Sequence, residues 1–188
     1  MSSIKELVAL AKAKPGDLNY ASGSTGGGSH FAVELFKSMA GVNIVRVVYK
    51  GGSQQIIDLI GGRVQMTIDD APTLMPSVKT GKLKALAITS AQPSTLYPEL
   101  PTVSASGVPG YESGGMQGLF GPAKMPAALV TRLNAEIVRF LRSADAKGRL
   151  IALGYETVGN TPEEFAVLIK SEITKMGKVI SDAGITAD

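Results

Sequence analysis

Apolar residues recur at helical spacing from Ile4 through Leu7, Val8, Leu10 and Ala11, and the run gives way at Pro15-Gly16. Ser3 ahead of it, with Glu6 three residues later, is a capping-box signature, so the pattern predicts a first helix opening at Ser3. Leu18–Ala21 predicts a short strand, residues 22–30 a glycine-rich turn, and Phe31, Leu35, Phe36 and Met39 a helix that stops at Gly41. The same unit repeats more loosely: a strand over Val42–Tyr49, a turn at Lys50-Gly51-Gly52, and a helix over Gln54–Ile60 stopped by Gly61-Gly62. Val64–Ile68 predicts a third strand running into Asp69-Asp70, Thr73–Val78 a helix before Gly81, and Lys84–Thr89 a fourth strand. Strands alternating with helices over such short connections predict an α/β fold with a mainly parallel sheet covered on both faces.

The pattern then changes. Pro93, Pro98, Pro101 and Pro109 break Gln92–Ser113 into irregular connection with one short helix, and Gly114–Gly121 reads as an extended run. Pro122 and Pro126 lead into a strongly amphipathic helix over Ala127–Leu141, followed by a second over Ala144–Ala152 with Gly154 as its stop. Thr161-Pro162-Glu163-Glu164 combines an N-cap, a proline at the first helical position and a capping-box glutamate, opening a last helix that runs to about Ser181. The chain therefore divides into an α/β lobe, 1–121, and a helical part, 122–188, which brings little sheet of its own and needs a surface to cover.

Composition narrows the function classes. Of 188 residues, 44% are hydrophobic and 19% charged, an ordinary globular balance that excludes intrinsic disorder. The net charge is +3 and the pI about 9.1, yet the basic residues are spread along the chain and interleaved with acids. That is a solvated surface and not a nucleic-acid footprint. Tryptophan is absent and aromatics are few, which argues against stacking platforms for sugars or single strands. No cysteine is present, so disulfides, thiolate metal sites and cysteine nucleophiles are excluded together. No stretch approaches the ~20 apolar residues of a membrane span, and Met1–Glu6 has no hydrophobic signal core.

In parallel α/β sheets the loops after the strand C-terminal ends converge on one edge, and ligands sit there. Four such loops are predicted, over residues 22–29, 50–53, 69–73 and 89–91. The first is rich in donors, from Ser22, Ser24, Thr25 and Ser29 and from the backbone of Gly23, Gly26, Gly27 and Gly28. Unpaired N–H groups at a helix N-terminus, with the positive end of its dipole, hold a carboxylate or phosphate without a charged side chain. The second loop adds Lys50 beside Gly51 and Gly52, and the third brings Asp69 and Asp70. A donor-rich edge with one lysine suits a small organic anion better than a metal.

Each feature has a plainer reading. Gly26-Gly27-Gly28 lacks both the Walker ending and the dinucleotide spacing, so a nucleotide cofactor is not indicated and the run can be a turn alone. His30, the only histidine, can pack or cap, and the helix dipole would oppose its protonation. Lys50 reads equally as a surface lysine or a ligand contact. Asp70 is expected to cap the helix that follows, leaving Asp69 to orient the edge or to meet an amino or hydroxyl group of a ligand. No Gly-x-Ser-x-Gly elbow is present, and a single histidine leaves little to act as a general base. Binding without turnover is the leading reading. The alternatives are an enzyme acting on a carboxylated substrate through His30 and Asp69, and an interaction module that works by self-association.

With these stretches in view, the chain resembles the TctC or Bug family, the periplasmic substrate-binding proteins of tripartite tricarboxylate transporters. The resemblance is carried in order by Lys5-Glu-Leu-Val-Ala-Leu-Ala-Lys-Ala-Lys-Pro-Gly16, Leu18-Asn-Tyr-Ala-Ser-Gly23, Gly28-Ser-His30, Glu34-Leu-Phe-Lys-Ser-Met-Ala-Gly41, Tyr49-Lys-Gly-Gly52 and Asp58-Leu-Ile-Gly-Gly62. It continues through Gly81-Lys-Leu-Lys-Ala-Leu-Ala87, Pro101-Thr102, Gly107-Val-Pro-Gly-Tyr111 and Thr161-Pro-Glu-Glu-Phe165. It implies a Venus-flytrap lobe, no enzymatic activity, no cofactor or metal, a small carboxylate as ligand, transporter permease subunits as partners and a periplasmic location. The family's ligand loop falls on Ser22, Gly23, Ser24, Thr25, Gly26, Gly27, Gly28, Ser29 and His30, and less directly on Lys50, Gly51, Gly52 and Asp69. The resemblance also implies a facing lobe built mostly from a family segment that these 188 residues do not match, with the helical tail returning to that lobe; a partner or self-association is the expected route to completing it.

Overall fold

The computed structural model describes residues 2–186. Contacts divide the chain into two compact units, one running up to Gly115 and taken up again from Lys178, the other Met116–Gly177.

The first unit is built on a short parallel sheet. Strand β1, Asn19–Ser22, pairs with β2, Val45–Val48, in the register Asn19↔Val45, Tyr20↔Arg46, Ala21↔Val47 and Ser22↔Val48. Strand β2 is shorter than the apolar run from which it is predicted, and β1 has the predicted length but lies one residue further on. The predicted third strand forms no ladder. Gln65 N–H donates to the Asn19 carbonyl and Ala21 N–H to the Met66 carbonyl, both at 2.9 Å, but the Ala21 carbonyl then accepts from the Thr67 hydroxyl at 3.0 Å instead of a backbone amide. Regular pairing therefore ends at the single Tyr20↔Met66 bridge. The fourth predicted strand is likewise one bridge, Ile88↔Thr102, beside Pro101, which has no N–H to extend it. β1 thus lies between two parallel neighbours, and Tyr20, Ala21 and Ser22 are fully buried.

Helices follow the local chemistry closely. In α1, Ile4–Ala13, the Ser3 hydroxyl accepts the Glu6 N–H at 3.2 Å; the Glu6 carboxylate turns to the Ser2 amide and hydroxyl and does not close the reciprocal bond to Ser3. Ile4, Leu7 and Ala11 form its buried face. Helix α2, Gly28–Ala40, buries Val33, Phe36 and Ala40 and ends at Gly41, whose φ of 63° is the left-handed conformation that a glycine adopts without strain. Helix α3 spans Gly52–Ile60 and α4 spans Ala71–Lys79. Asp70 occupies the N-cap position of α4 as predicted, but its side chain makes no capping bond; the Asp69 carboxylate accepts the Asp70 N–H instead, at 2.8 Å.

These elements close over one core of Leu7, Ala11, Leu18, Tyr20, Val33, Phe36, Ile44, Val103, Val108 and Tyr111. A short 3₁₀ turn, Ser104–Ser106, lies in the irregular segment that brings Val103, Val108 and Tyr111 inward. The Tyr111 ring meets Phe36 edge-on at 6.0 Å between centroids, and its hydroxyl donates to the Ala32 carbonyl at 2.9 Å. The Tyr20 hydroxyl donates to Glu34 at 2.6 Å, and Lys37 pairs with the same carboxylate.

The second unit holds α5, Ala127–Arg142, α6, Ala144–Ala152, and most of α7, Pro162–Ala183. Its capping box is complete: Thr161 N–H donates to Glu164 at 2.8 Å, and Glu164 N–H to the Thr161 hydroxyl at 3.1 Å. The Phe120 and Phe165 rings meet at a tilt of 50° with centroids 5.5 Å apart, and Phe165 lies against Gly118, where a Cβ would collide with its ring. Among the described residues of this unit only Ala146 is fully buried, while Leu129, Leu133, Phe140, Val167 and Ile173 remain exposed.

Tyr111→Phe is expected to cost about 1 kcal/mol, the net worth of one hydrogen bond, and Tyr111→Ala about 3–5 kcal/mol from the cavity it leaves. Urea unfolding of both variants checks this; equal midpoints for Tyr111→Ala and the parent would remove Tyr111 from the core.

Candidate functional site

The parallel strands send their C-terminal ends to one edge. Tyr49 N–H donates to the Ser22 carbonyl at 2.9 Å, so the turns after β1 and β2 leave the sheet side by side. The Thr67–Ala21 bond places residue 69 at the same end on the other flank of β1. Helices α2, α3 and α4 begin at this edge, behind Gly27, Gly51 and Asp70, and none has a side-chain cap. By contrast α1, α6 and α7 are capped by the hydroxyls of Ser3, Ser143 and Thr161; α5 opens behind Pro126 without one. Phe31 N–H takes the Gly27 carbonyl, leaving the amides of Gly28, Ser29 and His30 as the unspent donors of α2.

The turn itself is a knot of short-range bonds. Gly23 N–H donates to the Ser29 hydroxyl at 3.2 Å, Gly27 N–H to the Ser24 carbonyl at 3.0 Å, and Gly26 N–H to Nδ1 of His30 at 3.2 Å. Gly26 has a φ of 75°, which favours glycine, and a Cβ on Gly27 would come within 3.1 Å of the Ser24 carbonyl oxygen, tight enough that the turn would have to shift by a few tenths of an ångström. Gly28 meets no such obstacle.

A residue not singled out from sequence holds this knot to the sheet. Arg46 reaches from β2 to donate from Nε to the Ser22 hydroxyl at 2.7 Å, from one terminal nitrogen to the Gly23 carbonyl at 2.9 Å, and from the other to the Thr25 hydroxyl at 3.1 Å. Its register partner is Tyr20, and the period-2 alternation of a strand puts Ser22 on the same face. The signal was present: Arg46 is the only charge in Val42–Tyr49.

His30 is 4% exposed. Because Nδ1 accepts from Gly26, its neutral ring carries the proton on Nε2. Burial first, and then the Arg46 charge, hold its pKa below the ordinary histidine value. Lys50 is exposed and forms no hydrogen bond or ion pair among the described residues, and Gly51 and Gly52 open α3. Asp69 is oriented from below by Gln55, 2% exposed, whose amide donates to Asp69 at 2.9 Å and to the Thr67 hydroxyl at 3.0 Å. Ala21, Thr67, Gln55 and Asp69 are thus one relay across β1, the third segment and α3. Gln55 was not anticipated, and nothing local distinguishes it from Gln54. His30 and Asp69 make no bond to each other; each is committed to a different partner.

An open cavity of about 560 Å³ lies elsewhere, in the helical unit, lined by Asn134, Val138, Arg139, Arg142, Asn160 and Thr161. Much of its polar lining is engaged locally: Asn134 donates to the Asn160 carbonyl at 3.0 Å, and Thr161 is in the capping box. The three converging uncapped helix starts and Arg46 are at the sheet edge, not here.

Residues 1–185 match the family model of TctC, the tripartite tricarboxylate transporter family receptor. The chain belongs to the TctC family. A relative from Pseudomonas sp. strain P51, the UPF0065 protein in the tcbD-tcbE intergenic region, is 36% identical over 98% of this chain and 55% of its own length. The structure of R. palustris Rpa4515 with adipate is 35% identical, with a TM-score of 0.87 over 99% of this chain and 62% of that one. MatC from Rhodopseudomonas palustris with bound malate is 27% identical, with a TM-score of 0.76 over 95% of this chain and 62% of that one. The TctC chain described here therefore spans about half the length of that curated relative, and its fold is that of a periplasmic-binding-protein lobe. The family is one of receptors, not enzymes. No helix among the described residues is long and apolar enough to cross a membrane.

The lowered pKa of His30 fixes a sign. Between that pKa and the ordinary value near 6.5, the unfolded chain binds the proton and the folded chain does not, so stability rises with pH across the window and is lost as pH falls. The unfolding midpoint is expected to drop from pH 7.5 to pH 5.5, with a shallower drop in His30→Gln, whose amide oxygen can still accept from Gly26. Parallel profiles for the two proteins would show that His30 does not titrate in this way.

Proposed function

We propose that this TctC chain carries the carboxylate-holding part of a solute receptor, which binds a small organic acid without altering it. The observation that carries the reading is the convergence of three uncapped helix starts on one sheet edge, those of α2, α3 and α4, where helices α1, α6 and α7 have their first amides capped by a hydroxyl. Unspent amides and aligned dipoles form an environment for negative charge, and α2 offers three of them behind a turn that passes through the left-handed conformation at Gly26. The adipate and malate on two structural neighbours agree in class with this reading. The contact set is Ser22–His30, with Gly51, Gly52 and Lys50 at the second turn and Asp69 at the third. On the same reading 1–121 is the ligand lobe and 122–188 the helical part of a facing lobe, the compartment is the periplasm, and the ligand passes to transporter permease subunits.

Differential scanning fluorimetry against mono-, di- and tricarboxylates tests this. A ligand at about 100 times its Kd that binds only the folded state adds roughly 2.7 kcal/mol, or about 5–10 °C for a chain of this size. A dicarboxylate such as adipate or malate is expected to give the largest shift, and Gly27→Ala, which pushes the turn off the Ser24 carbonyl, to reduce it. A cooperative transition that moves with none of these acids at millimolar concentration would overturn the reading.

A further inference from the structure

Arg46 stands out in the first unit as a partly buried cation, tied down by three hydrogen bonds, that has no counter-ion. Among the described residues the ion pairs of that unit are Lys37–Glu34 and Arg63–Asp58, and no carboxylate lies within ion-pair distance of the Arg46 guanidinium. Its three partners, the Ser22 hydroxyl, the Gly23 carbonyl and the Thr25 hydroxyl, are neutral. A guanidinium has five N–H donors, so two remain after these three bonds. The bond to Ser22 is at a position with no exposure at all, and Arg46 itself is only partly exposed, so water screens this charge less than it would at an open surface. Every other polar group of the turn also presents a donor or a neutral acceptor: the amides of Gly28, Ser29 and His30, and the Nε2–H of a histidine that burial and Arg46 keep uncharged.

A cation tied by three bonds and lacking an anion is unfinished electrostatics. Glu34 could have served, but it is spent on Tyr20 and Lys37. Lys50, the cation expected at this edge from sequence, is exposed and bonded to nothing described, so it is hydrated and cheap to leave unpaired. Arg46 is the reverse: fixed by its planar fork, weakly hydrated and set under the turn.

We propose that Arg46 is the specificity-determining cation of the site, the fixed positive charge that a ligand carboxylate neutralises and that makes the glycine turn select acids over neutral solutes of the same shape. The inference rests on the carboxylate-receptor reading and deepens it: helix amides accept any hydrogen-bond acceptor, including an amide carbonyl, whereas an unpaired guanidinium favours only an anion. Arg46 acts in two ways, as a positioning residue through Ser22, Gly23 and Thr25, and as a charge. The two separate experimentally, because a badly positioned turn weakens every ligand, while a missing charge weakens only the charged one.

The test is titration of the ¹⁵N-labelled chain with adipate and with its neutral isostere adipamide, following the amide signals of residues 23–30, for the parent, Arg46→Gln and Arg46→Lys. The parent is expected to bind adipate at least 10-fold more tightly than adipamide, in line with a hydrogen bond to a charged group. Arg46→Gln is expected to lose about 10- to 100-fold for adipate with little change for adipamide, collapsing the ratio towards one, and Arg46→Lys to keep part of the ratio. Should Arg46→Gln fail to fold, the parent's own adipate-to-adipamide ratio and its partial retention in Arg46→Lys decide the matter. Equal affinity of the parent for the two ligands, or a ratio unchanged in either variant, overturns the role of Arg46 while leaving the receptor reading intact. No perturbation of these amides by adipate in the folded parent overturns both.

Discussion

The first unit depends on the burial of β1 between two parallel neighbours. Four residues, Asn19–Ser22, are bonded on one side to β2 and on the other to the segment around Met66, with Tyr20, Ala21 and Ser22 sealed from water. A strand so enclosed has one place to send its polar continuation, past the carboxyl end of the sheet, and the glycine turn is that continuation. Tyr20 anchors the strand to α2 through Glu34, and α2 is locked in turn by Tyr111 at the Ala32 carbonyl. Core packing and turn geometry are therefore one constraint. The helix whose amides open at the edge is the helix that Phe36 and Val33 press into the core, so the donors are pre-placed instead of recruited by a ligand.

What was legible in the sequence is what short-range chemistry decides. The stops at Gly41 and Gly61, the serine caps and the Thr161–Glu164 box depend on residues within four positions of one another, and the helices end almost where those residues say. Strands were over-read because an apolar run announces burial but not pairing. Residues 64–68 are apolar enough for a strand, yet one threonine hydroxyl takes the carbonyl that the ladder needed. The glycine loop was legible as a candidate site for the same local reason as the helices. Its support was not: Arg46 lies 24 positions from Ser22, and Gln55 lies 14 from Asp69, so each partnership exists only once the register Tyr20↔Arg46 and the placement of α3 are known.

The helical unit illustrates the other limit of pattern reading. The apolar stripe of α5 and the capping of α7 were predicted correctly, and both helices form, yet almost nothing in Met116–Gly177 is buried beyond Ala146. Helices of this length are marginal in water on propensity alone and draw most of their stability from packing an apolar face. Periodicity thus specifies a face and is silent on what the face meets. In the first unit only Phe36 of the stripe predicted for α2 is fully buried, while Met39 stays exposed; the face that does enter the core, with Val33 and Ala40, meets Ile44 just beyond the helix and Val108 and Tyr111 from far along the chain.

The character of the edge follows from which groups there can take a proton. The one histidine gives its Nδ1 to Gly26 and keeps its proton on Nε2, so it presents a donor and not a base. To serve as a base it would have to break the bond that shapes the turn and accept a charge that burial and Arg46 both oppose. Asp69 is fixed by Gln55 and by the Asp70 amide, with no proton relay towards His30. Hydroxyls of Ser22, Thr25 and Ser29 are each engaged with Arg46 or Gly23 and have no neighbouring base to activate them. The donors and Arg46 make the turn a setting for negative charge, and Asp69, the carboxylate beside them, is held by Gln55 and the Asp70 amide and makes no bond to His30.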